Sequence, residues 1–355
     1  MSKLRFALVG CGNIASKHAH VLHEYLEEAE IGAFVDIDAG RAQQFSKKYD
    51  APAYSSVGEM MGAIGDRIDV ISVLTPSGAH CQNVLEFARY GRAMVVEKPL
   101  ALRLKDADDM LEACEAHGVK LFVVHQNRYN LPVRKAREAL EQGRFGRLVL
   151  GTVRLRWMRD QAYYDSAAWR GTWEHDGGVF MNQAVHHIDM LTWFMGNVES
   201  VRSMAATRLV SIETEDTGVA VLRFNSGALG VLEATTATRP KDLEGSISIL
   251  GEKGAVVIGG FFMNELVTWD FAERQPIDDV IFEQYGSNPP GLGHNLGEYL
   301  RGVVSSLRDS KPALVDGLAG RRSLELVTAI YESIETDADV QLSFRPRKCR
   351  LGLVS

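Results

Sequence analysis

A short glycine motif directly after an apolar run is the feature that most constrains this chain. Residues 10–15 read G-C-G-N-I-A, a G-x-G-x-x-A pattern, and they follow the apolar run 4–9. In such a motif Gly10 permits a tight turn, Gly12 lets the backbone approach a pyrophosphate, and the small last residue allows close packing of helix and strand. The free N–H groups at the helix start attract phosphates. The dinucleotide contacts that the motif predicts are Gly10, Gly12, Asn13 and Ile14.

The same alternation of apolar runs and helix-like segments continues through the first 125 residues. Apolar runs at 31–35, 70–74, 93–96 and 121–124 are separated by amphipathic stretches. Short, continuous runs of Val, Ile and Leu are typical of strands buried on both faces. Strands that alternate with helices predict a doubly wound parallel sheet. We therefore expect an α/β protein with a Rossmann domain in residues 1–125.

The pattern changes near residue 126, and a chain of 355 residues predicts more than one domain. Residues 149–157 alternate between apolar and polar, and two hairpin signals follow. Such alternation is typical of antiparallel sheets with one face packed and one exposed. We expect residues 126–355 to form an α+β domain with an open, largely antiparallel sheet that binds substrate. Its exposed face predicts a homo-oligomer, a tetramer or at least a dimer.

Polar residues at the ends of the predicted strands point to the cofactor and its reactive end. Asp36 ends the second strand, where a carboxylate binds both ribose hydroxyls and repels a 2′-phosphate, so the sequence predicts NAD rather than NADP. Ligands of open α/β sheets lie at the carboxyl ends of the strands. On that ground Thr75, Pro76 and Lys98 are expected beside the nicotinamide.

Two motifs resemble those of a known family. Glu97-Lys98-Pro99 and the segment 177–189, which reads GGVFMNQAVHHID, resemble the signatures of the Gfo/Idh/MocA oxidoreductases. That family's usual second pattern is G-G-x-x-x-D-x-x-x-H-x-x-D, and this chain has Asn182 in place of its first Asp. The resemblance implies a sugar dehydrogenase with Lys98 and His186 as the catalytic pair, Asn182 beside them, and Glu97 at the cofactor.

Two further segments are similar to a narrower group within that family. Residues 157–164 and 169–173 resemble the bacterial UDP-N-acetyl-2-amino-2-deoxyglucuronate dehydrogenases. This implies oxidation of the C3 hydroxyl of a UDP-sugar, UDP-N-acetylglucosaminuronate, during the synthesis of surface polysaccharides such as lipopolysaccharide. It also implies that Trp169 and Arg170 lie near the nicotinamide. The remaining residues assigned to the substrate are Arg159, Tyr163 and Tyr164.

The residue types agree with this chemistry. Asn182 and His186 are four residues apart, which predicts that they share one face of a helix. A neutral imidazole is a suitable base for a hydroxyl proton, and an ammonium stabilises the developing alkoxide. His187 is expected to be structural. Guanidinium groups suit a pyrophosphate and a uronate carboxylate, although ordinary exposed arginines are the alternative. The arginines considered are Arg128, Arg156, Arg159 and Arg170.

Other classes of function are disfavoured. The net charge of -7 is unlike that of a general nucleic-acid binder, and no apolar run is long enough for a membrane span. The four cysteines form no CxxC pair, which favours reduced thiols in the cytoplasm, and no metal-binding spacing is present, so no metal is expected. Two alternatives stay open: another sugar or inositol dehydrogenase or ketosugar reductase of the same family, and a non-catalytic NAD-binding regulator.

Overall fold

A computed structural model describes residues 2–289, 293–309 and 311–342. Residues 343–355 of the predicted second domain, with Cys349 among them, lie outside the described residues. The first 125 residues contain a parallel six-stranded sheet in the order β3-β2-β1-β4-β5-β6. Its strands are β1 (Leu4–Val9), β2 (Ala29–Val35), β3 (Ala53–Tyr54), β4 (Val70–Val73), β5 (Ala93–Val96) and β6 (Leu121–Val123). Its helices are α1 (Asn13–Glu24), α2 (Ala39–Tyr49), α3 (Val57–Ile64), α4 (His80–Ala88) and α5 (Leu104–Ala116).

This sheet is the doubly wound Rossmann arrangement that the sequence predicts. The strand order reverses between β1 and β4, and ligands bind in the crevice at such a point. All four residues of β4 are buried, as expected for a strand covered on both faces. The two-residue strand β3 was not predicted, because two residues show no periodicity.

The remainder of the chain contains an eight-stranded sheet in the order β13-β12-β11-β7-β10-β9-β8-β14. It is largely antiparallel, as predicted, and mixed in one place, because β10 runs parallel to β7. Its strands are β7 (Leu148–Arg156), β8 (Val198–Ala206), β9 (Thr217–Phe224), β10 (Leu229–Thr235), β11 (Glu244–Gly251), β12 (Gly254–Gly259), β13 (Glu265–Phe271) and β14 (Val340–Gln341). The helices are α6 (Leu131–Glu141), α7 (Gln161–Asp165), α8 (Val185–Met195), α9 (Ile281–Tyr285), α10 (His294–Asp309) and α11 (Gly317–Thr336), with a π-helix at Val179–Gln183. Short 3₁₀ turns lie at Gly65–Arg67, Ser77–Ala79, Gln126–Tyr129 and Pro276–Asp279.

One face of this sheet is covered by helices. Helix α8 packs on β7 and β11, and α11 packs on β8. Val153 and Leu155 of β7 are fully buried on that face, as the alternation predicts. Val149 was expected on the same face but is 50% exposed. In the pairing of β7 with β11, Leu148 and Leu150 have partners but Val149 does not, which makes Val149 a β-bulge. A bulge interrupts the alternation of side chains between the two faces of a sheet.

The C-terminal helices return to the first half of the chain. Helix α11 packs against α5 and β6, and α10 packs against α1. The part of the chain that forms the first sheet is therefore in direct contact with the part that follows it. The carboxyl end of β5 faces the segment before α8. None of the described helices is long and apolar enough to cross a membrane.

Candidate active site

The glycine loop after β1 leaves open space at the start of α1. Gly10 has a φ of +96°, and a Cβ there would lie 2.9 Å from the carbonyl carbon of Leu74, so only glycine fits. A Cβ on Gly12 would meet nothing within 4 Å. No side chain of the described chain caps α1, whose first residue is Asn13, with Ile14 next. The protein's own packing therefore does not explain Gly12, whereas an approaching pyrophosphate does.

The end of β2 borders the same loop. One carboxylate oxygen of Asp36 accepts a hydrogen bond of 2.7 Å from the Cys11 N–H, and the other accepts one of 2.8 Å from the Asp38 N–H. These bonds fix the carboxylate beside the glycine loop. Asp38 itself caps α2 by accepting from the Gly40 N–H. Ile37, between the two carboxylates, is 97% exposed, which the sequence analysis did not anticipate.

The ends of β4 and β5 are tied together by a buried histidine. The ring nitrogens of His80 lie 2.9 Å from the Pro99 carbonyl oxygen and 3.0 Å from that of Thr75. The Thr75 hydroxyl donates to Asn83, while Pro76 is exposed at the same edge. Thr75 and Pro76 therefore lie where the sequence analysis expects them, at the carboxyl edge of the sheet.

Glu97 lies at the end of β5 and is buried. One of its oxygens lies 2.9 Å from Nε2 of His18 in α1, and the other accepts a hydrogen bond from the Lys98 N–H. Both oxygens are thus engaged within the protein. In this arrangement Glu97 joins α1 to the segment that carries Lys98. Its contact with the cofactor stays a prediction.

Lys98 connects the end of β5 to the π-helix. Its Nζ donates a hydrogen bond of 2.9 Å to the main-chain carbonyl of Asn182. Burial lowers the pKa of the Lys98 ammonium, while the carboxylates of Glu97 and Asp176 oppose that change. Lys98 and Asn182, which the family resemblance places beside each other, are thus joined by a hydrogen bond.

Asn182 and His186 do not share one α-helical face, and that expectation was wrong. Asn182 lies in the π-helix Val179–Gln183, and a new helix, α8, begins at Val185. A spacing of four residues places two side chains on one face only in a continuous α-helix with 3.6 residues per turn. The π-helix has a different number of residues per turn, so the rule does not hold here. His186 stands in the first turn of α8, directly after the segment that holds Lys98.

The environment of His186 favours the neutral imidazole. Burial and the positive charge of Lys98 place the pKa of His186 well below its usual value. Its buried Nδ1 has no hydrogen-bond partner among the described residues, and its ring lies edge-on to His125 at 5.8 Å. A neutral ring with an unused nitrogen is able to accept a proton.

Two titratable residues that follow His186, His187 and Asp189, are held by contacts within the protein. His187 is fully buried against Trp157, and burial lowers its pKa to about 4. Asp189, one turn after His186, accepts two hydrogen bonds from the Arg128 guanidinium, at 2.8 and 2.6 Å. That bidentate pair accounts for both residues, so Arg128 is not available to an anionic ligand.

A cluster of polar and aromatic side chains lies beside the π-helix. The hydroxyl of Tyr163 accepts hydrogen bonds from Arg170, at 2.7 Å, and from the side-chain amide of Gln183, at 3.0 Å. The Arg170 guanidinium lies over the ring of Trp169 at 4.5 Å. The Arg159 guanidinium lies over the ring of Tyr163 at 5.3 Å. Four of the predicted residues are thus brought together.

Two other predicted residues have partners of their own. Tyr164 is buried with its ring 5.1 Å from that of Tyr163, and its hydroxyl bonds to the Thr236 hydroxyl. Its contact with the substrate stays a prediction. Arg156 donates to Glu233 and Glu244 on the exposed face of the second sheet. Ion pairing on this face distinguishes Arg156 from Arg170, which has no carboxylate within ion-pair distance in the described part of the chain.

Sequence reasoning missed two residues of this site. Asp176 is 2% exposed and accepts hydrogen bonds from the Gly171 N–H, at 2.7 Å, and from the Asn182 side-chain amide. Gln183 connects Asn182 to Tyr163. The clue to Asp176 was an acidic residue directly before Gly177-Gly178, but nothing in the spacing indicated its partner.

Comparisons with known proteins agree with this geometry. Residues 4–125 match the model described as "Oxidoreductase family, NAD-binding Rossmann fold", and residues 137–342 match "Oxidoreductase family, C-terminal alpha/beta domain". The chain belongs to the Gfo/Idh/MocA oxidoreductase family. Its first domain is accordingly an NAD-binding domain, and the predicted family, fold class and cofactor are confirmed.

Solved structures within the family include two at substantial identity. The WlbA dehydrogenase from Bordetella pertussis, in complex with NADH and UDP-GlcNAcA, is 42% identical, with a TM-score of 0.89 over 97% of this chain and 99% of that one. The WlbA protein from Chromobacterium violaceum, with the same ligands, is 39% identical, with a TM-score of 0.90 over 98% of both chains. A myo-inositol 2-dehydrogenase from Thermotoga maritima is 26% identical over 96% of this chain and 98% of its own length. These similarities support a sugar dehydrogenase.

Proposed function

We propose that this chain oxidises the C3 hydroxyl of UDP-N-acetylglucosaminuronate to the 3-keto sugar, in the synthesis of bacterial surface polysaccharides. The observation that carries the proposal is the hydrogen bond from Lys98 to the carbonyl of Asn182, which joins the NAD-binding domain to the segment before His186. The choice of substrate is supported by the 42% identical WlbA dehydrogenase, whose structure contains NADH and UDP-GlcNAcA.

The residues present fit the cofactor. The space above Gly12 and the uncapped start of α1 suit a pyrophosphate, and the fixed carboxylate of Asp36 suits a ribose. The exposed Ile37 side chain is well placed to cover the adenine. When bound, NAD supplies the nicotinamide ring that accepts a hydride from the sugar carbon.

The proposed roles of the catalytic pair follow from their charges. Neutral His186 accepts the hydroxyl proton through its ring, while the Lys98 ammonium stabilises the negative charge that develops on the same oxygen. The electron pair of the O–H bond forms the second carbon–oxygen bond of the ketone. The C3–H bond breaks at the same time, and its electron pair leaves with the hydride. The products are the 3-keto sugar, NADH and a proton held by His186.

The substrate's negative charges have a candidate partner in Arg170. Its guanidinium is oriented by Tyr163 and Trp169 and is not neutralised by a described carboxylate. Arg159 also lies over the ring of Tyr163, and it forms an ion pair with Asp242 at 3.3 Å. Planar guanidinium groups bind carboxylates and phosphates in a bidentate manner, which suits a UDP-uronate.

The test is NADH formation with NAD and a panel of UDP-sugars. Losing a charge-assisted carboxylate contact typically costs about 1.5–3 kcal/mol, so UDP-N-acetylglucosamine should bind roughly ten- to a hundredfold more weakly than its uronate. Arg170→Leu should remove most of this difference, whereas Arg156→Leu, whose guanidinium is held by Glu233 and Glu244, should retain it. Equal affinities of the unmodified protein for the two sugars at matched salt would contradict the assigned substrate.

A second candidate is another sugar or inositol dehydrogenase, or a ketosugar reductase, and the similarity to the Thermotoga maritima enzyme favours it. Turnover of myo-inositol or a free sugar without turnover of any UDP-sugar would select it. A non-catalytic NAD-binding regulator would turn over none of them.

We further propose that the protein acts in the cytoplasm, where NAD and nucleotide sugars are available. We also propose that it forms a homotetramer, or at least a dimer.

A further inference from the structure

The buried carboxylate of Asp176 uses its two oxygens for two different segments of the site. One oxygen accepts from the N–H of Gly171, directly after Arg170, at 2.7 Å. The other accepts from the side-chain amide of Asn182 in the π-helix. Both partners are N–H donors, so position 176 requires a side chain with two acceptor atoms, which a carboxylate provides.

Asn182 stands between this carboxylate and Lys98. Its side-chain amide donates to Asp176, and its main-chain carbonyl accepts from Nζ of Lys98. Its side-chain oxygen accepts from the amide of Gln183 at 3.0 Å. Hydrogen bonds of one residue, Asn182, therefore connect Asp176 to Lys98.

The groups that face Asp176 are two cations and a phenol: Lys98, Arg170 and Tyr164. Burial raises the pKa of Asp176, while hydrogen bonds from Gly171 and Asn182 and the charge of Lys98 oppose the rise. Burial lowers the pKa of Lys98, and the positive charges of Arg170 and Lys17 add to that effect. The carboxylates of Glu97 and Asp176 oppose it and favour the charged form. Neutralising Asp176 therefore leaves Lys98 easier to deprotonate.

We propose that Asp176 is a positioning residue of the dehydrogenase: it orients Asn182, and through Asn182 it holds Lys98 in place beside the substrate hydroxyl, without touching the substrate itself. The inference rests on the proposed roles of Lys98 and His186. It adds a residue outside the two family motifs to the machinery of the site.

The first variant is Asp176→Asn. An amide presents one acceptor and one donor, so with Asn182 in its present orientation one of the two N–H partners faces another N–H, and the negative charge is lost. A lost charge-assisted hydrogen bond corresponds to roughly a ten- to hundredfold decrease, which we expect in kcat rather than in KM. The alkaline limb of kcat/KM should move to lower pH, because Lys98 loses its proton more readily.

The second variant exchanges the two side chains: Asp176→Asn combined with Asn182→Asp. The new amide at position 176 accepts from Gly171 and donates to the new carboxylate at position 182, so every bond regains a donor and an acceptor. We expect the double variant to recover most of the lost kcat and the original alkaline limb. Asn182→Asp alone places two carboxylates in contact and should be worse than the exchange, a coupling that a double-mutant cycle measures.

Titration of Lys98 provides a readout that needs no substrate. Competitive acetylation of the NAD-bound protein over a range of pH, followed by mass spectrometry, reports the pKa of Lys98 in each variant. We expect it to fall in Asp176→Asn and to return in the exchange. The control is Asp216→Asn, which removes another buried carboxylate, bonded to the N–H groups of Arg208 and Leu209 on a different loop. It should leave the titration of Lys98 unchanged.

The outcomes separate this inference from the proposed function. If no sugar nucleotide is oxidised but Lys98 shifts as expected, the substrate is wrong and the role of Asp176 stands. If turnover depends on Lys98 and His186 but Asp176→Asn alters neither the pH profile nor the labelling of Lys98, the inference is overturned. If Asp176→Asn does not fold, the exchange variant decides: a folded protein with normal Lys98 titration supports the proposal, and one with a shifted titration rejects it.

Discussion

At the scale of single residues, the chemistry depends on a histidine that burial keeps neutral. The pKa of His186 lies well below its usual value because of burial and the charge of Lys98. His187, the next residue, is also buried and also has a lowered pKa, but it faces Trp157. Two adjacent histidines thus differ in what they face rather than in their protonation state.

This pair of histidines supplies a matched test of the base. His186→Asn should lower kcat by about 100- to 10,000-fold, the usual effect of losing a general base, while NAD binding measured by calorimetry stays near normal. Lys98→Met should cause a comparable loss, and the two losses should not add, since both groups act on one proton transfer. His187→Asn is the control and should affect stability more than turnover. Near-normal turnover of His186→Asn with NAD bound would assign the base elsewhere, to Lys98 or to Tyr163.

A second residue, Glu215, makes stability depend on pH. Burial raises the pKa of Glu215 to about 7, and one of its oxygens accepts hydrogen bonds from the Phe180 N–H and the Tyr331 hydroxyl. The folded pKa lies above the ordinary value, so the folded protein binds the proton more tightly than the unfolded chain. Stability should therefore decrease as pH rises from about 4.5 to about 7, by at most about 3 kcal/mol from this group.

Glu215→Gln removes this titration and should flatten the pH dependence of the free energy of unfolding. Denaturant unfolding at about pH 5 and about pH 8 measures the slope. The control is Glu213→Gln, the same substitution two residues earlier on an exposed side chain, which should keep the slope of the unmodified protein. An identical slope for Glu215→Gln and the unmodified protein would show that Glu215 does not titrate in this range.

At the scale of elements, the loop between β1 and α1 contains one glycine that the fold requires, Gly10, and one that we expect the cofactor to require, Gly12. Gly12→Ala should leave the melting temperature nearly unchanged, because its φ of -92° is ordinary and its Cβ meets nothing. The same methyl group should weaken NAD binding, since it occupies the space of the pyrophosphate. Gly10→Ala should instead destabilise the protein, because its φ is positive and its Cβ would collide with Leu74. Unchanged NAD affinity in Gly12→Ala would place the pyrophosphate elsewhere.

The elements also show how far sequence reasoning reaches. The bounds of β1 and β5 and both hairpins were predicted, because buried strands and turn residues leave strong local patterns. The bulge at Val149 and the π-helix at Val179–Gln183 were missed, since both change the local period on which such patterns depend. Asp176 was missed for a different reason: its role depends on which donors face it in space.

At the scale of the whole molecule, one face of the second sheet exposes apolar side chains that no described helix covers. Strand pairing places Val221 opposite Val231 and next to Arg202, and the ion pairs of Arg156 lie on the same face. Monomeric proteins rarely expose large continuous apolar patches. The larger apolar side chains that are exposed on this face are Met204, Val219, Val221, Leu229, Val231 and Leu250.

We predict that two copies of this chain bury this face against each other, in a homotetramer or at least a dimer. Light scattering at micromolar concentration should give a mass above that of one chain. Val221→Glu places a charge in the middle of the patch, where its burial without a partner is costly, and should shift the population toward monomers. Leu85→Glu is the control: Leu85 is 42% exposed on α4, away from this sheet, and its replacement should leave the mass unchanged. A monomeric unmodified protein would contradict the prediction, and an oligomer that resists Val221→Glu would locate the interface on another surface.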